Sequence, residues 1–428
     1  MPFLRIIQRW SGRDQAPRAG ADHLSTSYRN LLRTPGLPSL FGSISLMKFG
    51  GGVIQLTLIL YVLQTWESSE LAGAVVLVSW LPGIVVSPVA GVLMDRVRRA
   101  PLVALDCFVA GVTTFAIVAL ARAEHLEPWS LLILVGLASV TIPFGDTGLR
   151  TLLAVVPESM HWDRTNALES ALASVTSTAA PATAGILIGI GQGELGLAVG
   201  GAFMVAAGVA MLRVQEPEPV ADGALDIKRG FADLHASWRE PAVRRFSSIV
   251  LLDDIAIGIL QVALPVWMLG RYGATGLAVG LGWAAFNLTS LGVTLALGTA
   301  GTAGREHRIV SAGLLVQVVG FTLLVLEIGT WWVVACMAVA GATIGSIDVA
   351  MFSLLQRTIE PSRLAGANAV ALAVTSFGVP IGAAAGGFVA GWAPSLALAV
   401  APIIAATAAL SARFILVDAT PLRRSTAP

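Results

Sequence analysis

Eight polar side chains stand inside long apolar runs, and they come in spaced sets: Lys48 with Gln55, Asp146 with Arg150, Asp253 and Asp254 with Gln261, and Asp348. An ionisable group at the centre of a bilayer costs at least ~2.5–3.5 kcal/mol, so such groups face partners or water and mark pathways for ions or solutes. Seven residues make about two helical turns, so Lys48 and Gln55 share one face, and Asp254 and Gln261 repeat that spacing. The repeated spacing points to a cavity with Lys48 on one side and Asp254 on the other. Asp254 would take and release a proton as its distance from Lys48 changes, because a nearby cation alters the proton affinity of a carboxylate. Asp253 is about 100° further round the helix and is expected to face a neighbouring segment. Asp146 and Arg150, four residues apart, are expected to pair along one face; solute binding and mutual neutralisation are both open readings. Asp348 has Phe352 at the corresponding position and is the second candidate for a proton or cation site. Asp106 and Glu169 lie near segment ends, where snorkelling is cheap, and read as supports for a neighbouring loop.

The elements that position these groups follow from composition. Of 428 residues, 55% are hydrophobic, only 12% are charged and 45 are glycine; the mean hydropathy is +0.79. A soluble globule carries about 25% charge, and disorder needs low hydrophobicity. Both are excluded, which leaves a polytopic helical membrane protein. Each span needs about 20 apolar residues, and apolar runs read as spans near 37–63, 71–93, 101–121, 129–152, 165–191 and 195–212. A polar stretch follows, and six more spans fall near 246–269, 275–298, 308–327, 330–355, 364–391 and 395–416. Cys107 and Cys336 both lie in apolar runs and read as small buried hydrophobes.

Topology follows from the basic residues. With tails, linker and alternate loops on the cytoplasmic side, that side holds 23 of the 27 basic residues; Arg122 and Arg271 lie opposite, and Lys48 and Arg150 lie within spans. Both termini are then cytoplasmic, in the plasma (inner) membrane, and the span count is even. The first 34 residues are too polar for a cleavable signal peptide. The expected organisation is a tail over 1–36, a six-helix bundle over 37–212, a linker over 213–245, a second bundle over 246–416 and a tail over 417–428. Ile227, Phe231, Leu234 and Trp238 recur at helical spacing in the linker and suggest an amphipathic surface helix.

The halves repeat. Residues 129–191 laid on 331–393 without a gap pair Trp129 with Trp331, Thr141-Ile142 with Thr343-Ile344, Asp146 with Asp348, Glu158 with Glu360 and Asn166 with Asn368; 15 of 63 positions are identical. The fold class expected is therefore all-α integral membrane, with twelve transmembrane helices in two six-helix bundles related by a parallel pseudo-twofold repeat. Spans 1, 4, 7 and 10, which carry six of the intramembrane charges, are equivalent positions in that repeat.

Between spans 2 and 3 the chain reads Gly91-Val-Leu-Met-Asp95-Arg96-Val-Arg98-Arg99. This resembles the signature loop of the major facilitator superfamily, G-x-L-x-D-R-x-G-R-[KR], with Arg98 in place of a glycine and Ala100 in place of a base. Gly91 would allow close helix approach, while Asp95, Arg96 and Arg99 would latch the moving bundles. The corresponding loop of the second half, around Gly298–Arg308, lacks the aspartate. In span 5, Ala180-Pro181-Ala-Thr-Ala184-Gly185 is similar to a reduced form of the G-P-x-x-G-G motif of proton-driven exporters; Pro181 and Gly185 equally suit a small-residue packing face.

The resemblance covers nearly the whole chain and is strongest to the drug, macrolide and siderophore exporters. It implies a monomer that moves a small amphipathic compound outward against protons by alternating access, with the lipid bilayer as surroundings and the proton gradient in place of any cofactor. An uptake symporter and a lipid or lysolipid flippase of the same fold are the alternatives. Trp80, Trp267 and Trp283 are placed to stack on a planar solute, whereas Trp66, Trp129, Trp331, Trp332 and Trp392 sit at span ends as interfacial anchors. An enzyme is disfavoured: the five histidines lie outside the spans, and neither an H-E-x-x-H motif nor a phosphate loop occurs. No feature points to nucleic acid or to a bound metal.

Overall fold

The computed structural model describes residues 36–94, 96–156, 162–216, 238–300, 305–326, 328–359 and 361–415. Within them lie twelve helical spans long and apolar enough to cross a bilayer. In the first half these are span 1 (Leu37–Trp66), span 2 (Ser69–Met94), span 3 (Arg99–Arg122), span 4 (Pro128–Ser139 and Ile142–Val155), span 5 (Trp162–Gly189) and span 6 (Gly193–Met211). The second half has span 7 (Pro241–Tyr272), span 8 (Gly276–Ala300), span 9 (Glu306–Leu324), span 10 (Thr330–Thr358), span 11 (Pro361–Thr375 and Gly378–Trp392) and span 12 (Pro394–Ile415). Helices satisfy their own backbone polar groups, which is why a chain this apolar folds this way. Apolar side chains such as Ile133, Leu295 and Ile403 remain exposed on the outside, where lipid replaces water.

The structure departs from the simple span pattern in three places. Span 7 starts at Pro241 rather than near residue 246, because proline is tolerated in a first helical turn. Span 4 is two helices instead of one. Pro143 has no N–H to give the Ser139 carbonyl, and the helix stops there. Gly83 of span 2 fits against the freed group: a Cβ on Gly83 would lie 2.5 Å from the Ser139 oxygen. Span 11 breaks in the same manner at Ser376-Phe377, ahead of Pro380. The proposed linker helix lies outside the described residues except for Trp238, which packs on the core of the second half beside Phe246.

Within the first half, span 6 packs on spans 1 and 3; in the second, span 7 packs on spans 11 and 12 and span 10 on spans 8 and 9. Two seams join the halves, span 5 on span 8 and span 2 on span 11. Both are made of glycine. A Cβ on Gly185 would lie 2.5 Å from the Gly276 carbonyl oxygen, and one on Gly73 would lie 2.7 Å from that of Ala383. These contacts sit at the end of the molecule away from the chain termini. An apolar cluster containing Leu60, Ile188, Leu264 and Met268 fills the same end.

Candidate functional site

Below the seams the halves separate around a cavity of about 620 Å³, lined from the first half by Lys48, Gln55, Trp80, Ser177 and Pro181 and from the second by Gln261, Trp283 and Asn287. A second lobe of about 380 Å³ runs into the first half and is lined by Asp106, Asp146, Thr113 and Thr114. Lys48, Gln55 and Trp80 line both lobes. The two glutamines thus lie where the repeated spacing puts them. Of the tryptophans assigned to solute stacking, Trp80 and Trp283 are in the wall; Trp267 is buried and packs edge-on against Tyr272. Trp129, Trp331 and Trp392 are exposed at span ends.

Lys48 departs from expectation. Its Nζ is 3.0 Å from Glu169 Oε1 of span 5, so its ion pair lies within the first half and not with Asp254. Glu169 lies one helix turn before Ala173 of the cavity wall and holds the wall residue Lys48, so it is more than a loop support. Asp254 is half-buried against the break in span 11, where Gly378 leaves room for its Cβ, and Asp253 is buried. Neither lines either lobe. Asp146 and Arg150 are both exposed and form no ion pair with each other. The side chain of Asp348 lies outside the described residues.

Asp106, set aside in the sequence as a support residue, is a wall residue of the smaller lobe. It is 5% exposed, and its Oδ1 accepts a hydrogen bond from Thr141 Oγ1 at 2.8 Å. Its Oδ2 occupies the place a Cβ would need at Gly145, one turn into the second helix of span 4. The signal that could have found it was Pro143: a proline beside an intramembrane threonine implies a helix break, and a break needs polar partners.

The span-5 motif acts across the halves. Pro181 cannot donate to the Ser177 carbonyl, four residues back. Asn287 of span 8 donates from Nδ2 to that oxygen instead, at 3.0 Å. Gly185 and Pro181 then seat directly on Gly276 and Gly280. The motif therefore builds a packing face that is also a hydrogen-bonded joint.

The loop between spans 2 and 3 lies at the terminal end. Arg96 and Arg98 are exposed, a Cβ on Gly91 would meet no neighbour, and Asp95 lies outside the described residues. Among the described residues, no neighbour makes the close approach expected at Gly91. Arg99 is held within its own half. Its Nη1 is 3.0 Å from Glu216 Oε1, and the backbone N–H groups of Arg99 and Ala100 donate to Oε2 at 2.7 and 3.0 Å. Glu216, with its side chain fully buried, thus caps the start of span 3 with a carboxylate, where unpaired amides and the helix dipole favour negative charge. The sequence motif contained no hint of this partner, which lies more than a hundred residues away.

Two six-helix halves closed at one end over a polar cavity define a membrane transporter. The chain belongs to the major facilitator superfamily: the MFS-type transporter y4rN of Sinorhizobium fredii (strain NBRC 101917 / NGR234) is 33% identical over 402 residues, covering 92% of this chain and 98% of that protein. The Major Facilitator Superfamily profile matches residues 246–428. Macrolide efflux protein A of Streptococcus pyogenes is 20% identical over 342 residues, or 77% of this chain and 83% of that protein. Among solved structures, the nucleoside transporter NupG has a TM-score of 0.71 at 13% identity, over 89% of this chain and 99% of NupG. A bacterial homologue of the human lysosomal transporter Spinster, in an inward-facing and occupied conformation, has a TM-score of 0.69 at 14% identity, over 91% and 97% of the two chains. At those identities the structural likeness establishes the fold.

Proposed function

We propose that this protein exports a small amphipathic compound in exchange for protons by alternating access. The observation that carries the reading is the cavity of about 620 Å³ between the halves, lined by polar and aromatic side chains of both, with glycine seams joining the halves at one end. With the termini cytoplasmic, as the distribution of basic residues supports, the seams lie on the outer side and the cavity loads from the cytoplasm. Trp80 and Trp283 offer planar faces, Gln55, Gln261 and Asn287 offer amides, and Lys48 paired with Glu169 supplies a charge in the wall. That mixture suits a molecule with an apolar body and a few polar groups. The export direction draws support from the span-5 motif and from the likeness to a macrolide efflux protein.

The test is energised accumulation in everted vesicles against right-side-out cells, screened with macrolides, siderophores and lysolipids. Exchange out of the cytoplasm predicts accumulation only in everted vesicles, abolished by collapsing the proton gradient. Accumulation in intact cells would replace export with uptake.

A further inference from the structure

We propose that Asp106 is a proton-binding site whose occupancy sets the hydrogen bonding at the break in span 4, with Thr141 as the switch. The break sits deep in the first half, facing the smaller lobe. Thr141 Oγ1 lies 2.8 Å from Asp106 Oδ1 and 2.9 Å from the carbonyl oxygen of Ala138. A hydroxyl has one proton to donate. With Asp106 ionised, that proton serves either the carboxylate or the carbonyl, and the other acceptor is left short. With a proton on Oδ1, Asp106 donates to Thr141 Oγ1 and Thr141 donates to Ala138, so both contacts are made at once. Proton uptake from water in the lobe therefore adds one hydrogen bond and ties Thr141, which caps Ile142–Val155, both to the last turn of Pro128–Ser139 and to span 3. Proton release to the same lobe removes it and loosens the joint.

The surroundings leave this choice to Asp106. From the second helix of span 4, Asp146 lines the same lobe, with Arg150 a turn further on. From span 1, Lys48 reaches the lobe but is paired with Glu169 of span 5. Span 6 meets span 3 beside Cys107 through Met204 and Ala207, and span 2 contributes Ser79 and Trp80, none of them charged near neutral pH. Neither Lys48 nor Arg150 forms an ion pair with Asp106. Span 4 carries Asp146 on the moving side of the break, so a change at the joint re-aims the lobe wall. The inference rests on the exchange reading only for its use in transport; the joint itself can be read without a substrate.

The experiment places nitroxides at Ile133 and Val155, both exposed and on opposite sides of the break. They are carried by the full chain in lipid nanodiscs, with both native cysteines replaced by alanine, and distances are recorded across pH. One hydrogen bond gained or lost predicts two distance populations whose ratio changes about fivefold between the acidic and alkaline limits. Asp106→Asn, which donates permanently to Thr141, is expected to show the acidic distribution at every pH. Thr141→Val is expected to lose the response and Thr141→Ser to keep it, while Asp254→Asn leaves it intact. A wild-type distance independent of pH, or a response that survives Asp106→Asn, overturns the proposal. Intact pH response without proton-driven transport in vesicles would instead overturn the exchange reading and leave this one standing.

Discussion

Spans 4 and 10 occupy equivalent places in the two halves, and one difference between them decides their shape. Pro143 in the first half aligns with Gly345 in the second. Span 10 keeps its amide at that point and runs unbroken from Thr330 to Thr358, whereas span 4 stops at Ser139 and restarts at Ile142. The paired threonines then do different work. Thr343 donates to the Gly313 carbonyl of span 9 at 2.7 Å, a fixed structural bond. Thr141 donates towards the Asp106 carboxylate of span 3, whose acceptor capacity changes with a proton. The second half has its own break, but in span 11, where Gly378 meets Asp254 of span 7. Each half thus sets one interrupted helix against one aspartate, at positions that are not related by the repeat. The internal symmetry builds the frame, and its violations locate the parts with alternative hydrogen bonding.

The comparison is broken most severely by making span 10 resemble span 4. In Gly345→Pro the new ring must fit where a Cβ would already lie 2.6 Å from Thr294 Oγ1 and closer still to the Ser290 carbonyl. The lost helix hydrogen bond and ring clash cost about 3 kcal/mol or more, a large part of a typical stability of about 5–15 kcal/mol. The expected outcome is little folded protein by size-exclusion profile and a collapsed thermal midpoint. Wild-type yield would mean that span 10 tolerates a break, and that the asymmetry between the halves has no structural cause.

The reverse change, Pro143→Ala, makes span 4 resemble span 10. It returns an N–H to the Ser139 carbonyl and adds no bulk. The thermal midpoint is expected to rise, consistent with about 1 kcal/mol for one hydrogen bond. Proton-driven transport is expected to fall about tenfold, the effect of ~1.4 kcal/mol on a barrier. Greater stability with lower turnover would mark the break as working machinery. Unchanged transport would reduce it to a packing accident accommodated by Gly83.

Much of this frame is legible in the sequence, and what was missed has one physical cause. Hydropathy, the basic loops and the 129–191 repeat specify twelve spans in two halves, because burial in lipid and helix periodicity act locally. Gln55 and Gln261 reach the cavity for the same reason, since a seven-residue spacing fixes a helix face. Ion-pair partners are set by tertiary approach, which spacing does not encode. Lys48 therefore takes Glu169 rather than Asp254, Arg99 takes Glu216, and Asp146 and Arg150 do not pair with each other. Proline carried more information than its helix-breaking role suggested. Pro143 and Pro181 each free a carbonyl, and each freed carbonyl has a neighbour from another span seated on it.

The smallest expected effect is also the sharpest test of the comparison, because it places one substitution on both threonines. Thr343→Val removes the bond to the Gly313 carbonyl while keeping the shape of the side chain. A buried carbonyl that loses its partner costs about 1–3 kcal/mol. Stability should fall by that amount, read as a lower thermal midpoint, with transport in vesicles nearly unchanged once corrected for folded protein. Thr141→Val faces a different balance. Ala138 and Asp106 both lose their hydroxyl partner, yet the break is already open to the lobe, where water can replace it. The midpoint should move less than in Thr343→Val, while the pH dependence of transport flattens. If both variants changed stability alone, the two threonines would be equivalent, and the break in span 4 would carry no proton-linked function. A crossed result, with stability lost at one site and pH response lost at the other, is what a rigid helix and a jointed helix in equivalent places require.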